Sequence, residues 1–461
     1  MVEALAPPKV THVAGPRRKR NLHLPSLKPG RHWRGLIIAA IFAASMWFYV
    51  QRILIPYQVA DAARYDRPRG NLSDLYPRWL GARQLLLHGR DPYSPEVTRE
   101  IQLGYYGREL DPRRPRDPKD QQGFAYPVYI AFLLAPLVHF DFSLVHKSFG
   151  WLLAAFTVVS VPLWLRAIRW RISHSAAWIV ILLTIGSFPA VQGIKLQQLS
   201  LFVAAIIAAA ALALSSGLLA LSGVLLALAT VKPQLTLPLL ACLGIWMLAD
   251  WRRRWSLGLS FALSMSTLFA ASEVVLPGWI EKFHRAVISY RQYTAGTSIL
   301  DTLLPRPLGT VASILLVGFL AVVAWRLRRH QAGSPEFSLT LSLALAVTIV
   351  NIPTGAPYNQ LLLLPGIMLL LRHWRKVSRS HRGIRLLYLL AALAITWPWL
   401  ATIYLSLVSL AGYGQLSQTR WPLPLYTNFF IPLGVLALLI FYAATLAAGR
   451  RENLPSSTVS A

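Results

Sequence analysis

The chain has 461 residues, of which 55% are hydrophobic and only 14% are charged, roughly half of the charged share of soluble domains. This composition excludes an ordinary soluble domain. The net charge of +28 does not indicate nucleic-acid binding, because the basic residues form short clusters between apolar runs, as the positive-inside rule describes. We expect these clusters to bind the anionic head groups of membrane lipids.

Residues 1–34 are polar, basic and rich in proline, and they predict a disordered cytoplasmic tail. The apolar stretch that begins at Gly35 has no clear small-residue cleavage site, so it is interpreted as a retained first helix and not as a signal peptide. Residues 35–448 are predicted to form one integral membrane domain, followed by a second cytoplasmic tail at 449–461. The one cysteine, Cys242, falls in a predicted span, so no disulfide within the chain is expected.

The apolar runs are long enough to cross a hydrocarbon core of about 30 Å and lack the alternation of barrel strands, which predicts an all-α polytopic membrane protein. About twelve transmembrane helices are predicted, at approximately 35–55, 147–166, 174–191, 197–215, 217–231, 234–249, 256–276, 307–325, 337–352, 358–371, 384–409 and 427–448. With the N-terminus inside, the basic clusters at 166–171, 252–254, 326–329, 372–385 and 450–451 also fall inside. The prediction is a multi-pass protein of the plasma (inner) membrane.

The segments left on the extracytoplasmic side are 56–146, 192–196, 232–233, 277–306, 353–357 and 410–426. The first of these is by far the longest, and its residues 57–125 hold ten of the eighteen acidic residues and twelve arginines and lysines. The short apolar run from Val128 to Phe140 is interpreted as an interfacial helix of this loop and not as a span.

A helix on the outer leaflet is predicted within this loop. Leu75, Trp79, Ala82 and Leu86 repeat at helical spacing and would form its apolar face. Asp74 would lie in the first turn of this helix.

Asp74 has two interpretations. An aspartate at a helix start can cap free backbone N–H groups and offset the helix dipole. It can also be a general base that removes the proton of a hydroxyl acceptor during sugar transfer. Asp61 and Asp66 are alternative carboxylates in the same loop.

Cations that could bind a phosphate occur at two places. Arg78 and Arg83 are the arginines nearest to Asp74 in the sequence, and a guanidinium can bind phosphate with two hydrogen bonds. Lys232 stands beside Pro233 between two short apolar helices, where a lone charge is costly unless it reaches water or a partner. This turn is therefore a candidate for part of an active cavity.

Other kinds of site lack support in the sequence. No His, Asp and Glu cluster has metal-ligand spacing, and no glycine-rich phosphate loop precedes a helix, so neither a metal site nor a cofactor is predicted. The need for a divalent cation stays open. Acidic residues are missing from the middles of the predicted spans, which disfavours ion-coupled transport.

Five short stretches occur in a distinctive order: Asp74 and Tyr76, Gly89 to Tyr93, Phe124 to Pro127, Ser222-Gly223, and Thr230 to Pro233. Over roughly residues 35–375 the chain thereby resembles glycosyltransferase family 87, whose members are mannosyltransferase-like membrane enzymes of the C-type superfamily. The resemblance implies a C-type fold with about twelve spans. It also implies a polyprenyl-phosphate sugar donor, with mannose as the expected sugar, and a lipid or glycan acceptor.

The family motifs align with individual residues here. The first-loop base of the family falls on Asp74, its Asp-Pro-Tyr on Asp91-Pro92-Tyr93, and its Lys-Pro on Lys232-Pro233. The Tyr-Pro-Pro motif of the family falls on Tyr126 and Pro127, but Val128 occupies the position of the second proline. Of the family's Gly-Gln-x-Asn motif only the glutamine matches, at Gln198. Some members carry a histidine late in the chain, but the corresponding stretch here, from Ile352 to Asn359, contains none. His284 could substitute for it.

The resemblance implies inverting transfer with Asp74 as the catalytic base. The residues expected to bind the substrates are Arg78, Arg83, Tyr76, Tyr93, Tyr126, Gln198, Lys232, His284, Tyr358 and Asn359. The alternatives are a lipid-linked saccharide transporter or flippase, and a non-catalytic partner in a glycan-assembly complex.

Overall fold

The computed structural model of the protein describes residues 32–70, 73–111, 113–294, 296–353, 355–375 and 382–451. Within these residues the regular structure is helical, and no strand occurs. Most of the predicted tails, the pair Asn71 and Leu72, and part of the basic cluster between Arg372 and Arg385 lie outside the described residues.

The α-helices are numbered here in chain order. They are α1 (His32–Phe48), α2 (Ile55–Arg64), α3 (Tyr76–His88), α4 (Pro95–Tyr106), α5 (Ile130–Leu134), α6 (Phe142–Ala167), α7 (His174–Ile185), α8 (Phe188–Lys195), α9 (Leu199–Ser215), α10 (Leu219–Ala229), α11 (Pro233–Leu248), α12 (Trp251–Val275), α13 (Trp279–Thr294), α14 (Ile299–Leu303), α15 (Arg306–Leu327), α16 (Pro335–Asn351), α17 (Leu364–Arg372), α18 (Arg382–Leu410), α19 (Gly414–Thr419) and α20 (Phe430–Arg451). A π-helical segment, Tyr49–Leu54, joins α1 to α2, and 3₁₀ turns occupy Ala135–Leu137, Pro357–Leu363 and Leu423–Leu425.

Several of these helices are long and apolar enough to cross a membrane. Among the described residues six segments qualify: Trp33–Arg64, Phe142–Ala167, Trp251–Val275, Pro307–Leu327, Arg382–Leu410 and Gly414–Leu446. The pair α7 and α8 would make a seventh, and α9, α10, α11 and α16 are apolar but shorter. A polytopic helical membrane protein is thereby confirmed.

The first helix continues beyond the predicted bounds of 35–55. The helical path from Trp33 to Arg64 is unbroken, so the predicted loop 56–146 begins as helix. The added segment contains Pro56, and a proline inside a helix removes a backbone donor and crowds the preceding turn. The π-helical segment comes directly before Ile55-Pro56, and a local widening of this kind lets a helix pass such a residue.

The predicted single span 174–191 is instead a broken one. α7 and α8 meet at an angle of 54°. The Ser187 hydroxyl accepts a hydrogen bond from the backbone N–H of Ala190 and so starts a new helix, in which Pro189 occupies the first turn. The break directs the C-terminal end of α8 toward the turn at Gln197 and Gln198.

The predicted surface helix is α3, and its apolar face is largely as expected. Leu75, Trp79 and Ala82 are buried, but they pack in the protein core and not against a lipid leaflet. Asp74 precedes the helix, which begins at Tyr76 with Pro77 in its first turn, a position that proline favours.

The apolar run from Val128 to Phe140 folds as the five-residue helix α5 and a 3₁₀ turn. Both are too short to span a membrane, which agrees with the prediction.

Two helices form the centre of the molecule. Nearly all residues of α9 and of α16 are buried, as expected for helices that are apolar on every side. Gly223 of α10 lies directly against the backbone of α12 at Leu257 and Phe261, so these two helices pack closely. This packing positions the turn that carries Lys232.

The connections that the positive-inside rule places in the cytoplasm are joined to one another. Arg372 donates a hydrogen bond to the carbonyl of Ile168, and Arg254 donates one to the carbonyl of Arg328 at 2.9 Å. The Arg169 guanidinium donates to the carbonyl of Ser215 at 3.2 Å. Arg169 also lies against Gly333 in the connection after α15, so these basic connections lie at one end of the bundle.

Candidate functional site

Asp74 lies in the turn before α3 and is half-buried. Its backbone N–H donates to the carbonyl of Leu196 at 2.9 Å, and its own carbonyl accepts from the Arg78 guanidinium. The carboxylate accepts a hydrogen bond from the side-chain amide of Gln198. No side-chain cap is present at the start of α3, so the carboxylate of Asp74 does not serve as a helix cap.

A chain of hydrogen bonds continues from Gln198 into the protein. The amide oxygen of Gln198 accepts from Lys232 Nζ at 2.7 Å, and the same ammonium donates to Ser200 Oγ at 2.8 Å. The Ser200 hydroxyl in turn donates to Asn359 Oδ1 at 2.6 Å. Five side chains from four distant segments of the sequence therefore form one polar cluster, which we call the Asp74 cluster.

Aromatic rings lie against Lys232 of this cluster and against Arg78 beside it. The Arg78 guanidinium lies 4.7 Å from the ring centre of Tyr126, and Lys232 Nζ lies 5.9 Å from the same ring. Lys232 Nζ is also 5.4 Å from the ring centre of Tyr358. Cations are attracted to such ring faces. Tyr93 fixes the position of Tyr126, since its hydroxyl donates to the Tyr126 carbonyl at 2.5 Å.

The surroundings change the acidity of both ends of the cluster. Burial raises the pKa of the Asp74 carboxyl above its usual range, and the positive charges of Arg78 and Lys232 oppose this effect. The nearby carboxylate of Asp120 adds to the rise. Burial lowers the pKa of Lys232 to about 7, assisted by Arg78 and opposed by Asp74. A carboxylate whose pKa is raised toward neutrality is a better proton acceptor than an ordinary aspartate.

Three predicted site residues lie away from the cluster. The Arg83 guanidinium donates to the carbonyl of Val138 at 3.1 Å. The ring of Tyr76 packs edge-on against Phe142, with ring centres 4.8 Å apart. His284 is exposed on α13.

The alternative carboxylates are engaged elsewhere or open to solvent. Asp61 forms a salt bridge with Arg67 at 2.5 Å near the molecular surface. Asp66 is exposed, in a turn with a positive φ of 48°. The geometry therefore favours Asp74 over both.

Several residues of the site were not predicted. Ser200 bridges Lys232 and Asn359, and Asp120 acts on Asp74 through its charge. Gln197 anchors the turn before α9, because its side chain accepts from Ser73 Oγ and donates to the carbonyl of His146. The signal that could have identified Gln197 is a glutamine pair at the start of a wholly apolar helix, since such polar groups need partners when buried.

Two cavities lie near the cluster. The first, which we call the apolar groove, has a volume of about 350 Å³ and lies between α7, α8, α17, α18 and α20. Gln360, the residue after Asn359, forms part of its wall. The second, which we call the polar cleft, has a volume of about 650 Å³ and lies between the first loop and α13. In the described parts of the chain, no group of three or more His, Cys, Asp or Glu side chains could hold a metal ion.

A comparison with protein-family models gives a match. The model of glycosyltransferase family 87 matches residues 124–353, which include Tyr126, Gln198 and Lys232. Asp74 precedes the matched segment. No curated protein matches the chain.

Proposed function

The chain is a membrane protein that belongs to glycosyltransferase family 87, and from this membership we propose the reaction that it performs. It transfers a hexose, which we take to be mannose, from a polyprenyl-phosphate donor to a hydroxyl group of a lipid or glycan acceptor. The observation that carries this proposal is the Asp74 cluster, in which Gln198 holds a carboxylate and an ammonium at opposite ends of one amide.

In the proposed reaction, Asp74 accepts the proton of the acceptor hydroxyl as its oxygen attacks the anomeric carbon. The bond from that carbon to the phosphate oxygen breaks, and polyprenyl phosphate leaves. Attack from the face opposite the phosphate inverts the configuration. Lys232 and Arg78 would balance the charge of the leaving phosphate, which is a stable anion and needs no general acid. Arg83 has no place in this proposal, because its guanidinium is directed away from the Asp74 cluster, to the carbonyls of Val138 and Phe140.

The donor lipid finds a suitable environment beside the cluster. The apolar groove is lined almost entirely by aliphatic and aromatic side chains, and Gln360 in its wall follows Asn359 of the cluster directly in the chain. We propose that the first isoprene units lie in this groove. Their burial would contribute affinity in proportion to the apolar area removed from water or lipid contact.

We further propose a twelve-span arrangement of the C-type. The six long spans, the bent pair α7 and α8, the four shorter apolar helices, and the segment formed by Pro357–Leu363 with α17 would together make twelve. The Asp74 cluster lies at the end of the bundle opposite the basic connections. We therefore place the active site on the extracytoplasmic side of the plasma membrane.

Purified protein reconstituted in liposomes tests the proposed reaction. Polyprenyl-phosphate mannose carrying a labelled sugar is supplied with a panel of mannosides and lipid acceptors. The expected result is release of polyprenyl phosphate together with a labelled product of inverted anomeric configuration, established by NMR. Transport alone would release no polyprenyl phosphate. Transfer from a sugar nucleotide, but not from the lipid donor, would contradict the proposal.

A further inference from the structure

The polar cleft has two walls of different origin. One wall is formed by the first loop and the start of α4, including Tyr93, Ser94 and Thr98. The other is α13, from which Arg285 and Ser289 face the cleft. The cleft volume of about 650 Å³ lies within the range of roughly 300–1,000 Å³ typical of ligand sites.

An ion pair joins the two walls. Asp91 Oδ2 and Lys282 Nζ are 3.0 Å apart, and each side chain is only partly exposed. Asp91 also accepts a hydrogen bond from the backbone N–H of Tyr93 at 2.9 Å, so the loop wall is held in place from within. The two walls are therefore fixed relative to each other before any ligand binds.

The cleft adjoins the Asp74 cluster through two shared segments. Phe124 and Ala125 line the cleft, and the next residue, Tyr126, places its ring against Arg78 and Lys232. On α13, Ser289 lines the cleft, and the adjacent Tyr290 interacts electrostatically with Arg78 and Asp74. A molecule that occupied the cleft would lie beside the reaction centre, yet outside the apolar groove.

The lining has the chemistry of a sugar site. The hydroxyls of Ser94 and Thr98 form hydrogen bonds at the start of α4, and their oxygens, like the hydroxyl of Ser289, can still accept from the many hydroxyls of a saccharide. Tyr93 and Phe124 supply aromatic surface on which the C–H face of a pyranose can rest, with ring centres 5.3 Å apart in an edge-on pair. An acyl or isoprenoid chain could form no hydrogen bond with these oxygens.

We infer that the polar cleft binds sugar units of the acceptor other than the unit that reacts. The acceptor is then a glycan of at least two sugars, and the cleft selects for its length. This inference rests on the proposed function, because it names the acceptor of that same site. Binding energy from units remote from the reacting hydroxyl would help to orient that hydroxyl toward Asp74.

A bulky substitution in the cleft wall tests this inference. Ser289→Trp places a large ring in the cleft from an exposed position on α13. Ile288→Trp is the matched control, because Ile288 is the next residue, is 45% exposed, and does not line the cleft. Melting temperatures of both purified variants confirm that they fold.

The first measurement is direct binding without donor. Wild-type protein in nanodiscs is titrated with mannotriose, maltotriose, cellotriose and a methyl mannoside, and binding is followed by saturation-transfer NMR. We expect at least one trisaccharide to bind more tightly than the monosaccharide. We also expect Ser289→Trp to weaken this binding by about tenfold or more, equal to about 1.4 kcal/mol, while Ile288→Trp does not. If no trisaccharide is preferred, or if both variants bind alike, the inference is wrong.

The second measurement is transfer to acceptors of different length. Ser289→Trp is expected to keep transfer to the methyl mannoside and to lose the wild-type preference for the longer acceptor, through a higher KM. Equal loss with both acceptors would contradict a role in length selection. Because binding is measured without donor, failure of the wild type to use polyprenyl-phosphate mannose would overturn the proposed function and leave the binding result standing.

Discussion

Gln198 separates the two charged groups of the Asp74 cluster. Its amide donates to the Asp74 carboxylate and accepts from the Lys232 ammonium, so the two charges are oriented without a direct ion pair. A direct pair would lower the pKa of the carboxyl and weaken it as a base. The hydrogen bond from Gln198 itself lowers the pKa of Asp74, but burial is the larger effect and keeps that pKa above its usual range, while the ammonium stays directed toward the same site.

Loss of this amide is the first prediction. Gln198→Leu removes the side-chain donor of the Asp74 carboxylate and one of the two partners of the Lys232 ammonium, which keeps Ser200. Leaving the buried carboxylate without this partner costs about 1–3 kcal/mol. We expect kcat/KM for transfer to fall by roughly 10- to 100-fold. Gln192→Leu is the control, because the side-chain oxygen of Gln192 is buried without a hydrogen-bond partner. If the two variants lose activity equally, Gln198 has no special role.

The pH dependence of donor use is the second prediction. Asp74 must be deprotonated to act as a base. Because its pKa is raised, kcat/KM should rise at a higher pH than it would with an ordinary aspartate. Lys232 must be protonated to bind phosphate, and its pKa of about 7 places the falling limb of kcat/KM near neutral pH. Lys232→Arg keeps its charge, so the falling limb should move to higher pH. An unchanged falling limb in Lys232→Arg would exclude Lys232 as its cause.

The sequence identified the centre of the site but not its full set of residues. Asp74, Gln198 and Lys232 were predicted from motif order, and the structure brings them together. Arg83 was predicted because it is near Asp74 in the chain, but the α3 backbone directs it toward the carbonyl of Val138. Ser200 could not be predicted, because only the packing of α9 against neighbouring segments gives its hydroxyl these partners.

At the scale of helices, the close packing of α10 on α12 controls the position of Lys232. A Cβ atom at Gly223 would lie 2.0 Å from Ser260 Oγ and 2.5 Å from the carbonyl oxygen of Leu257. Real Cβ atoms do not approach backbone so closely, so one helix would have to move. Because α10 leads into the turn at Lys232, such a movement would reach the Asp74 cluster.

The third prediction compares two glycines. Gly223→Ala should destabilise the protein by about 1–3 kcal/mol, as overpacking does, and should reduce transfer. Gly244→Ala should be neutral or stabilising by up to about 1 kcal/mol, because Gly244 has open space around it and alanine is the better helix former. Melting temperatures in detergent and transfer rates measure both effects. A stable, fully active Gly223→Ala would show that the α10–α12 contact tolerates a methyl group.

Helix identity was more predictable than helix continuity. The apolar runs correctly predicted helices at most positions, because burial in lipid or protein imposes the same pattern. The break at Ser187 was missed, since a serine and a proline are also tolerated inside transmembrane helices when neighbours satisfy the backbone. The continuation of the first helix past Pro56 was missed because the π-helical segment before it leaves no mark in the sequence.

For the molecule as a whole, the account depends on the orientation of the bundle. Ser200 and Lys232 of the Asp74 cluster lie at the N-terminal ends of α9 and α11. Arg169 and Arg254 form hydrogen bonds at the C-terminal ends of the same two helices, so the cluster and these basic connections lie at opposite ends. Which end faces the cytoplasm is a proposal that the chain allows to be tested directly. Cys242 is the one native cysteine and is buried, so an added cysteine can be labelled selectively.

The fourth prediction follows from this orientation. In a Cys242→Ala background, Glu109→Cys introduces an exposed thiol in the first loop, and Arg253→Cys introduces one in a basic connection. A membrane-impermeant maleimide applied to intact cells should label the first and not the second. Both should react after permeabilisation. Labelling of Arg253→Cys alone in intact cells would place the active site in the cytoplasm.

The most direct test of the central claim is the rate of sugar transfer by Asp74→Asn. The amide keeps an acceptor for Gln198 but cannot take up a proton, so transfer from polyprenyl-phosphate mannose should fall by about 10²- to 10⁴-fold while donor binding is retained. Asp61→Asn and Asp66→Asn should remain close to the wild type. Full turnover by Asp74→Asn, or a comparable loss in either control, would contradict the assignment of Asp74 as the base.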